Sequence, residues 1–180
     1  MRVSFNCRDR VLAVFLACLP AASAGDEDTG WTTDHYVPQE AWEEGQVTIP
    51  PWPEKQNLLE VEVDRGGFPF RVFIDSQSLE VGDDGVVRYS LVIISTSGAR
   101  NASFEGVLCN KREYRRYAYG SADRWHRLAG SQWQRITRGG SDGYRYVLYR
   151  HYLCNTAGLN PRVEGILQRI RYPRDVYLDD

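Results

Sequence analysis

The chain has 180 residues, with 22 Lys or Arg, 24 Asp or Glu and a formal net charge of −2. A chain of this length suits a single domain with its own hydrophobic core. The sequence contains no P-loop, HExxH or GxGxxG pattern, which excludes the enzyme and cofactor classes that those motifs serve.

The N-terminus has the organisation of a secretory signal peptide over residues 1–24. Three arginines accompany an apolar run at residues 11–19, and the small-residue triplet ASA follows it. We therefore predict cleavage before Gly25, export and a periplasmic location, because the apolar run is too short to span a membrane. The alternative is lipidation at Cys18, since the sequence FLAC resembles a lipoprotein processing site. Only that alternative would attach the protein to a membrane, with the outer membrane as its location.

Two of the four cysteines, Cys109 and Cys154, lie outside the predicted leader. In an exported protein, two cysteines most economically form one disulfide. A metal-binding pair is the weaker alternative, because the three histidines are scattered along the sequence. We predict one disulfide and no metal site.

Residues 25–57 are predicted to form an acidic N-terminal arm that contains several prolines. Over residues 25–64 there are eleven acidic side chains and a single basic one, Lys55. The prolines and the lack of periodicity favour extended, polyproline-like structure over a packed element. The arm also holds four large aromatic residues, so part of it is expected to lie against the domain.

Residues 58–172 are predicted to form a single α+β domain. Short runs rich in Val, Ile, Phe and Tyr alternate with turns that contain Gly and Asp, a pattern typical of antiparallel strands. The predicted strands are residues 58–63, 70–76, 86–95, 101–109, 113–120 and 144–154. We expect them to form a predominantly antiparallel sheet that is strongly curved or barrel-like.

One helix is predicted near the C-terminus, before a tail at residues 173–180. Asn160 is a suitable N-cap for it, and Pro161 fits the first helical position. Its apolar residues recur at helical spacing and should pack on one face of the sheet. These residues are Val163, Ile166, Leu167 and Ile170.

Residues 111–152 are basic and aromatic, with ten Lys or Arg, three Asp or Glu and nine Tyr or Trp. Such interleaving is typical of surfaces that bind single-stranded nucleic acid, but export argues against that partner. Two alternatives remain. The cations form a solvated strand face that pairs with the acidic arm, or they bind an anionic envelope component such as a lipid headgroup or polysaccharide. The candidate ligand-binding residues are Arg112, Arg115, Arg116, Tyr117, Arg145 and Tyr149.

Catalysis has little support in the sequence, so no catalytic residue and no cofactor is predicted. His151 and Cys154 are three residues apart, which places their side chains on opposite faces of a strand. An enzyme would need distant residues such as Asp75, Glu105 and His151 to converge in one pocket. A further alternative is an inhibitor of an envelope enzyme, which would present the loop at residues 121–143.

Four stretches carry a family resemblance: IPPWPEKQNLL, the run at residues 70–120, a loop that contains Trp125 and Trp133, and YRHYLC at residues 149–154. Together they resemble the CNP1-like family of small exported bacterial proteins, from about residue 41 to residue 170. The family has no established activity, so the resemblance implies an uncharacterised function and supplies no catalytic residue.

The order of strands and cysteines is also similar, more remotely, to surface-adhesin protein E domains. That similarity implies a sheet packed with a helix, a bridge between Cys109 and Cys154, and binding only by analogy of fold. We therefore expect a non-enzymatic envelope protein with a binding or envelope-maintenance role. Its partner would be an anionic envelope component or an envelope protein.

Overall fold

A computed structural model describes four parts of the chain: residues 41–63, 69–140, 142–154 and 162–173. The predicted signal peptide and the lipidation site at Cys18 lie outside these residues. The same is true of the helix cap predicted at Asn160 and Pro161, and of the tail beyond residue 173.

Eight strands and two α-helices make up the described structure. The strands are β1 (Leu58–Val61), β2 (Phe70–Asp75), β3 (Glu80–Val81), β4 (Val86–Ser95), β5 (Arg100–Leu108), β6 (Glu113–Ser121), β7 (Arg124–Arg127) and β8 (Gln134–Arg135). The helices are α1 (Gly143–Val147), which continues into a π-helix at Leu148–Leu153, and α2 (Val163–Arg171). A short 3₁₀ turn at Lys55–Asn57 precedes β1.

The strands form one antiparallel sheet in the order β1-β2-β4-β5-β6-β7, with β3 paired to β4 and β8 paired to β6. The prediction of a mainly antiparallel sheet is confirmed, including the first five predicted strands. Among the described residues, β1 and β7 have a partner on one side only, so the sheet is open. The barrel-like closure is therefore not confirmed.

The strand predicted at residues 144–154 is wrong, because this segment is helical. Tyr144, Leu148 and Tyr152 are four residues apart, a spacing that places them on one face of a strand and on one face of a helix alike. Arg145 and Val147 distinguish the two, since both are buried together with that first set. Burial at i, i+1, i+3 and i+4 is a helical pattern, which the spacing of the tyrosines alone did not reveal.

The helices cover one face of the sheet, called here the helix side. Alternate residues of β4, including Val87, Tyr89 and Leu91, point into the main core on this side. Helix α2 contributes Ile166 and Ile170 to that core, which confirms its predicted apolar stripe. The prediction of a single helix is corrected to two.

The opposite face of the sheet, called here the arm side, is covered by residues 41–53 of the N-terminal arm. Trp52 packs over Gly120, where an added Cβ would lie only 2.4 Å from the indole ring. The same ring contacts Trp125, with ring centroids 4.9 Å apart. The expectation that part of the arm lies against the domain is confirmed for these residues.

Cys109 and Cys154 form a disulfide with an S–S distance of 1.99 Å, as predicted. Cys109 follows β5 and Cys154 follows the π-helix, so the bridge ties the helical layer to the sheet. Both cysteines are buried in the core of the helix side.

No helix in the described residues is long and apolar enough to cross a membrane.

Candidate functional site

The six residues of the predicted anionic-ligand face do not share one surface in the described structure. Strand β6 carries three of them and contains a β-bulge at Tyr117, whose two neighbours pair with consecutive residues of β5. Because of this extra residue, Tyr117 and Ala118 both point to the arm side, where they cluster with Phe104. Arg116 lies on the helix side and Arg115 on the arm side, so the predicted face is divided by the sheet itself.

Arg145 lies in the core rather than on a ligand-binding face. Its guanidinium binds the carboxylate of Glu105 twice, with Nε to Oε2 at 2.9 Å and Nη2 to Oε1 at 2.7 Å. The side chains of the pair are 1% and 0% exposed. The cation also lies between two rings, 4.3 Å from the centroid of Tyr114 and 4.7 Å from that of Tyr144. The pair therefore joins α1 to β5 across the core.

Burial and pairing act in opposite directions on the pKa of Glu105. Burial alone would raise it, but the charge and hydrogen bonds of Arg145, aided by Arg116 and Ser103, hold the pKa below its usual value. Glu105 is therefore a charged acceptor for Arg145, and it also accepts a hydrogen bond from Ser103 Oγ at 2.7 Å.

Arg112 and Tyr149, the two remaining predicted residues, lie near the disulfide. The guanidinium of Arg112 lies 4.9 Å from the centroid of the Tyr146 ring. The hydroxyl of half-buried Tyr149 donates to the carbonyl of Cys109 at 3.4 Å. Arg112 thus contacts helix α1, and Tyr149 belongs to the π-helix itself.

A second ionic cluster lies on the arm side and includes a residue of the arm. Arg115 Nη1 binds Glu44 Oε2 at 2.5 Å, and the hydroxyl of Tyr117 donates to Glu44 Oε1. Arg88 Nη2 is 3.6 Å from the same carboxylate and also pairs with Asp84. For Glu44, the structure thus agrees with the alternative in which the cations meet the acidic arm.

Burial, together with the hydrogen bond to Glu44, raises the pKa of Tyr117 far above its usual value. The tyrosine is therefore neutral and acts as a hydrogen-bond donor to the arm. Arg88 is almost fully buried, with 3% of its side chain exposed, and lies over the Tyr117 ring at 5.8 Å. The cluster combines two cations and a phenol around one carboxylate.

An exposed surface on the helix side includes residues that were not predicted to bind an anionic ligand. The chain turns from β6 to β7 through Ala122 and Asp123, both with positive φ, as in a tight two-residue hairpin. This turn pairs Tyr119 with His126, and their rings stack at 5.0 Å with an interplanar angle of 17°. Tyr119 is 46% exposed.

The bulge at Tyr117 is the reason that Tyr119 joins this surface. Without the extra residue, strict alternation would place Tyr119 on the same side as Arg115; with it, Tyr119 shares the helix side with Arg116. Arg124 pairs with Ser121 and lies on the same side as His126, two residues away. We call Arg116, Tyr119, Arg124 and His126 the β6–β7 surface.

The two acidic residues that an enzyme would have to bring into one pocket lie on opposite faces of the sheet. Glu105 faces α1, whereas Asp75 follows Phe73 by two positions and so shares the arm side. One hydrolase-like pattern does occur in the sequence, because GGSDG at residues 139–143 has G-x-S-x-G spacing. Ser141 lies outside the described residues.

Comparison with known proteins identifies the family. The sequence model of the CNP1-like family matches residues 37–171. The chain is also similar to cryptic neisserial protein 1 of Neisseria gonorrhoeae, with 27% identity over 183 residues that cover 89% of each chain. No solved structure matches the chain, so the similarity to surface-adhesin domains stays a prediction. Because the family match spans most of the sequence, the chain belongs to the CNP1-like family.

Proposed function

We propose that this protein is an exported, non-enzymatic binding protein of the bacterial cell envelope, and that its β6–β7 surface takes an anionic envelope component. Of the six residues predicted for that role, Arg116 alone belongs to this surface. Tyr119, Arg124 and His126 replace the others. The observation that carries the proposal is an exposed aromatic pair flanked by cations.

The charge of Arg124 supports the proposal. Arg124 is exposed and forms no ion pair with any of the residues that the structure describes. The side chain of Arg116 is 40% exposed, and its Nε contacts Glu105 at 3.3 Å. Guanidinium groups bind carboxylates and phosphates through paired donors, so both side chains suit an anionic partner.

The stacked rings of Tyr119 and His126 support the proposal in a second way. Large, partly exposed aromatic side chains supply contact area at a low cost in conformational entropy, and Tyr and Arg are enriched at binding hot spots. Here the rings are held together by the register of a tight hairpin. A ligand with an anionic group and a flat or ring-shaped body would match both elements.

Binding is tested with Arg124→Glu and with the remote control Lys55→Glu, which makes the same change of charge next to β1. The mature protein is passed over vesicles rich in anionic phospholipid and, separately, over immobilised envelope polysaccharide. We expect Arg124→Glu to weaken retention by about tenfold or more on the correct ligand, because a charge-assisted contact is worth about 1.5–3 kcal/mol.

The two supports separate a lipid headgroup from a polysaccharide as the source of the anion. Retention of Lys55→Glu should match that of the unmodified protein. Unchanged binding of Arg124→Glu to both supports, or an equal loss in both variants, would contradict a site on the β6–β7 surface. The inhibitor and enzyme alternatives stay predictions.

Export to the periplasm is also part of the proposal, and the disulfide supports it because such bonds persist in oxidising compartments. We expect the intact mass of protein recovered from the envelope fraction to correspond to a chain that starts at Gly25 and contains one disulfide. A mass that corresponds to a lipid-modified Cys18 would favour the lipoprotein alternative. An intact leader in a cytoplasmic fraction would contradict export.

A further inference from the structure

Residues 41–53 of the arm form neither helix nor strand, and they lie against the arm side of the sheet. The indole Nε1 of Trp42 donates to the carbonyl of Asp84 at 2.8 Å, and the Trp42 ring meets Trp133 edge-on at 5.8 Å. The ammonium of Lys111 lies 4.9 Å from the Trp42 ring centroid. Trp42 is thus held by a hydrogen bond, a ring and a cation.

The carboxylate of Glu44, two residues further on, is the next point of attachment. Arg115 and the Tyr117 hydroxyl bind one oxygen each, and Arg88 approaches the carboxylate to 3.6 Å. In the described structure the Nε atoms of Arg88 and Arg115 are buried without a hydrogen-bond partner. Glu44 therefore does not satisfy every donor of the two guanidinium groups that surround it.

Further along the arm, apolar contacts are combined with hydrogen bonds to the backbone. Val47 and Ile49 pack against the cluster of Phe104, Tyr117 and Ala118. Trp52 fills the space above Gly120 beside Trp125, and the backbone of the arm accepts two further hydrogen bonds in this region. They are Trp125 Nε1 to the carbonyl of Pro51 at 3.4 Å, and Arg100 Nη2 to the carbonyl of Pro53 at 2.9 Å.

The arm is attached without a β-ladder. Within the described residues, no backbone–backbone hydrogen bond joins residues 41–53 to the sheet. Attachment of the arm therefore depends mainly on its side chains. Along the arm, the sheet binds an aromatic residue, a carboxylate, two aliphatic residues and a second aromatic residue, in that order. Charge complementarity points the same way, because residues 41–53 carry two glutamates and no cation, while the face below supplies Arg115 and Lys111 beside Arg88, which already pairs with Asp84.

We propose that the arm side of the sheet is a peptide-binding surface, and that its partner is an extended acidic peptide of an envelope protein with a Trp-x-Glu pattern and a second aromatic residue further on. The arm of this chain occupies the surface until such a peptide replaces it. The proposal does not rest on the β6–β7 surface, which lies on the opposite face of the sheet.

The test uses the mature, disulfide-bonded protein and a fluorescein-labelled synthetic peptide, AWEEGQVTIPPWP, with fluorescence anisotropy as the measurement. In the unmodified protein the arm competes at millimolar effective concentration. The variant Trp42→Ala/Glu44→Ala, called here the release variant, removes two of the arm's contacts and so weakens the attachment of the arm to the sheet. We expect it to bind the peptide at least tenfold more tightly than the unmodified protein does.

Neighbouring residues of β6 provide the matched control. Arg115→Ala in the release variant should reduce peptide affinity about tenfold or more, whereas Arg116→Ala, on the other face, should not. Arg124→Glu should also leave peptide binding unchanged, which separates this proposal from the function proposed above. If the double release variant fails to fold, Glu44→Gln is the second release variant, with a smaller gain expected.

Peptide affinity that is no tighter in either release variant than in the unmodified protein would overturn the proposal. Equal effects of Arg115→Ala and Arg116→Ala would also overturn it. Sedimentation of the unmodified protein without peptide is the last measurement, and a monomer is expected. A dimer that the release variant loses would overturn the proposal in favour of arm exchange between two copies of this chain.

Discussion

Replacing Arg145 with methionine is expected to lower the free energy of unfolding by about 3–5 kcal/mol, because the buried Glu105 carboxylate would keep only Ser103 and the half-exposed Arg116 as partners. The two side chains are 1% and 0% exposed, so solvent does not screen the pair. Methionine fills much of the same volume but cannot donate the two hydrogen bonds or lie as a cation between Tyr114 and Tyr144. Urea unfolding followed by circular dichroism measures the change.

The double variant Glu105→Gln/Arg145→Met is the informative partner of this experiment. It removes both charges, so its loss of stability should be smaller than the sum of the losses in the two single variants. The exposed pair of Glu60 and Arg71 provides the control, since Glu60→Gln should change stability little. A loss below about 1 kcal/mol for Arg145→Met would contradict the assignment of this pair as a structural element.

The same pair predicts how stability depends on pH. The pKa of Glu105 is lower in the folded protein than its usual value, so its contribution is fully present above the unfolded-state pKa. That contribution is lost as the pH falls below about 4.5, the ordinary pKa of a glutamate, and through the lower folded-state value. The acid-induced loss of stability should therefore be smaller in Glu105→Gln than in the unmodified protein.

The strands could be predicted because each lies between clear turns and pairs with a neighbour that is close in sequence. The predicted run 86–95 coincides with Val86–Ser95, and the run 113–120 differs from Glu113–Ser121 by one residue. Composition and turn residues carry this information locally. Closure of the sheet is a long-range property, and no local pattern in the sequence reports it.

The candidate site was harder to predict because it depends on partners that are distant in sequence. Arg145 is separated from Glu105 by 40 residues, and Tyr117 from Glu44 by 73 residues. Nothing in a basic, aromatic segment distinguishes an arginine paired in the core from one that faces solvent. The bulge at Tyr117 adds a second difficulty, because a single extra residue reverses the face of Tyr119 while the sequence still alternates.

Replacing both bridged cysteines with alanine is expected to lower the free energy of unfolding by about 2–5 kcal/mol. The disulfide spans a sequence separation of 45 residues, so it removes considerable freedom from the unfolded chain. It also connects the end of β5 to the end of the π-helix. The loss should therefore be greatest in the helical layer, and hydrogen exchange should show α1 and the π-helix losing protection before β4 and β5 do.

Reductant provides the control for this variant. Treating the unmodified protein with reductant should lower its urea midpoint to a value close to that of Cys109→Ala/Cys154→Ala, and the variant itself should not respond. Both cysteines are buried in the core of the helix side, so alanine leaves a small void without introducing a polar group. Equal midpoints for the oxidised protein and the variant would mean that packing alone holds the helical layer on the sheet.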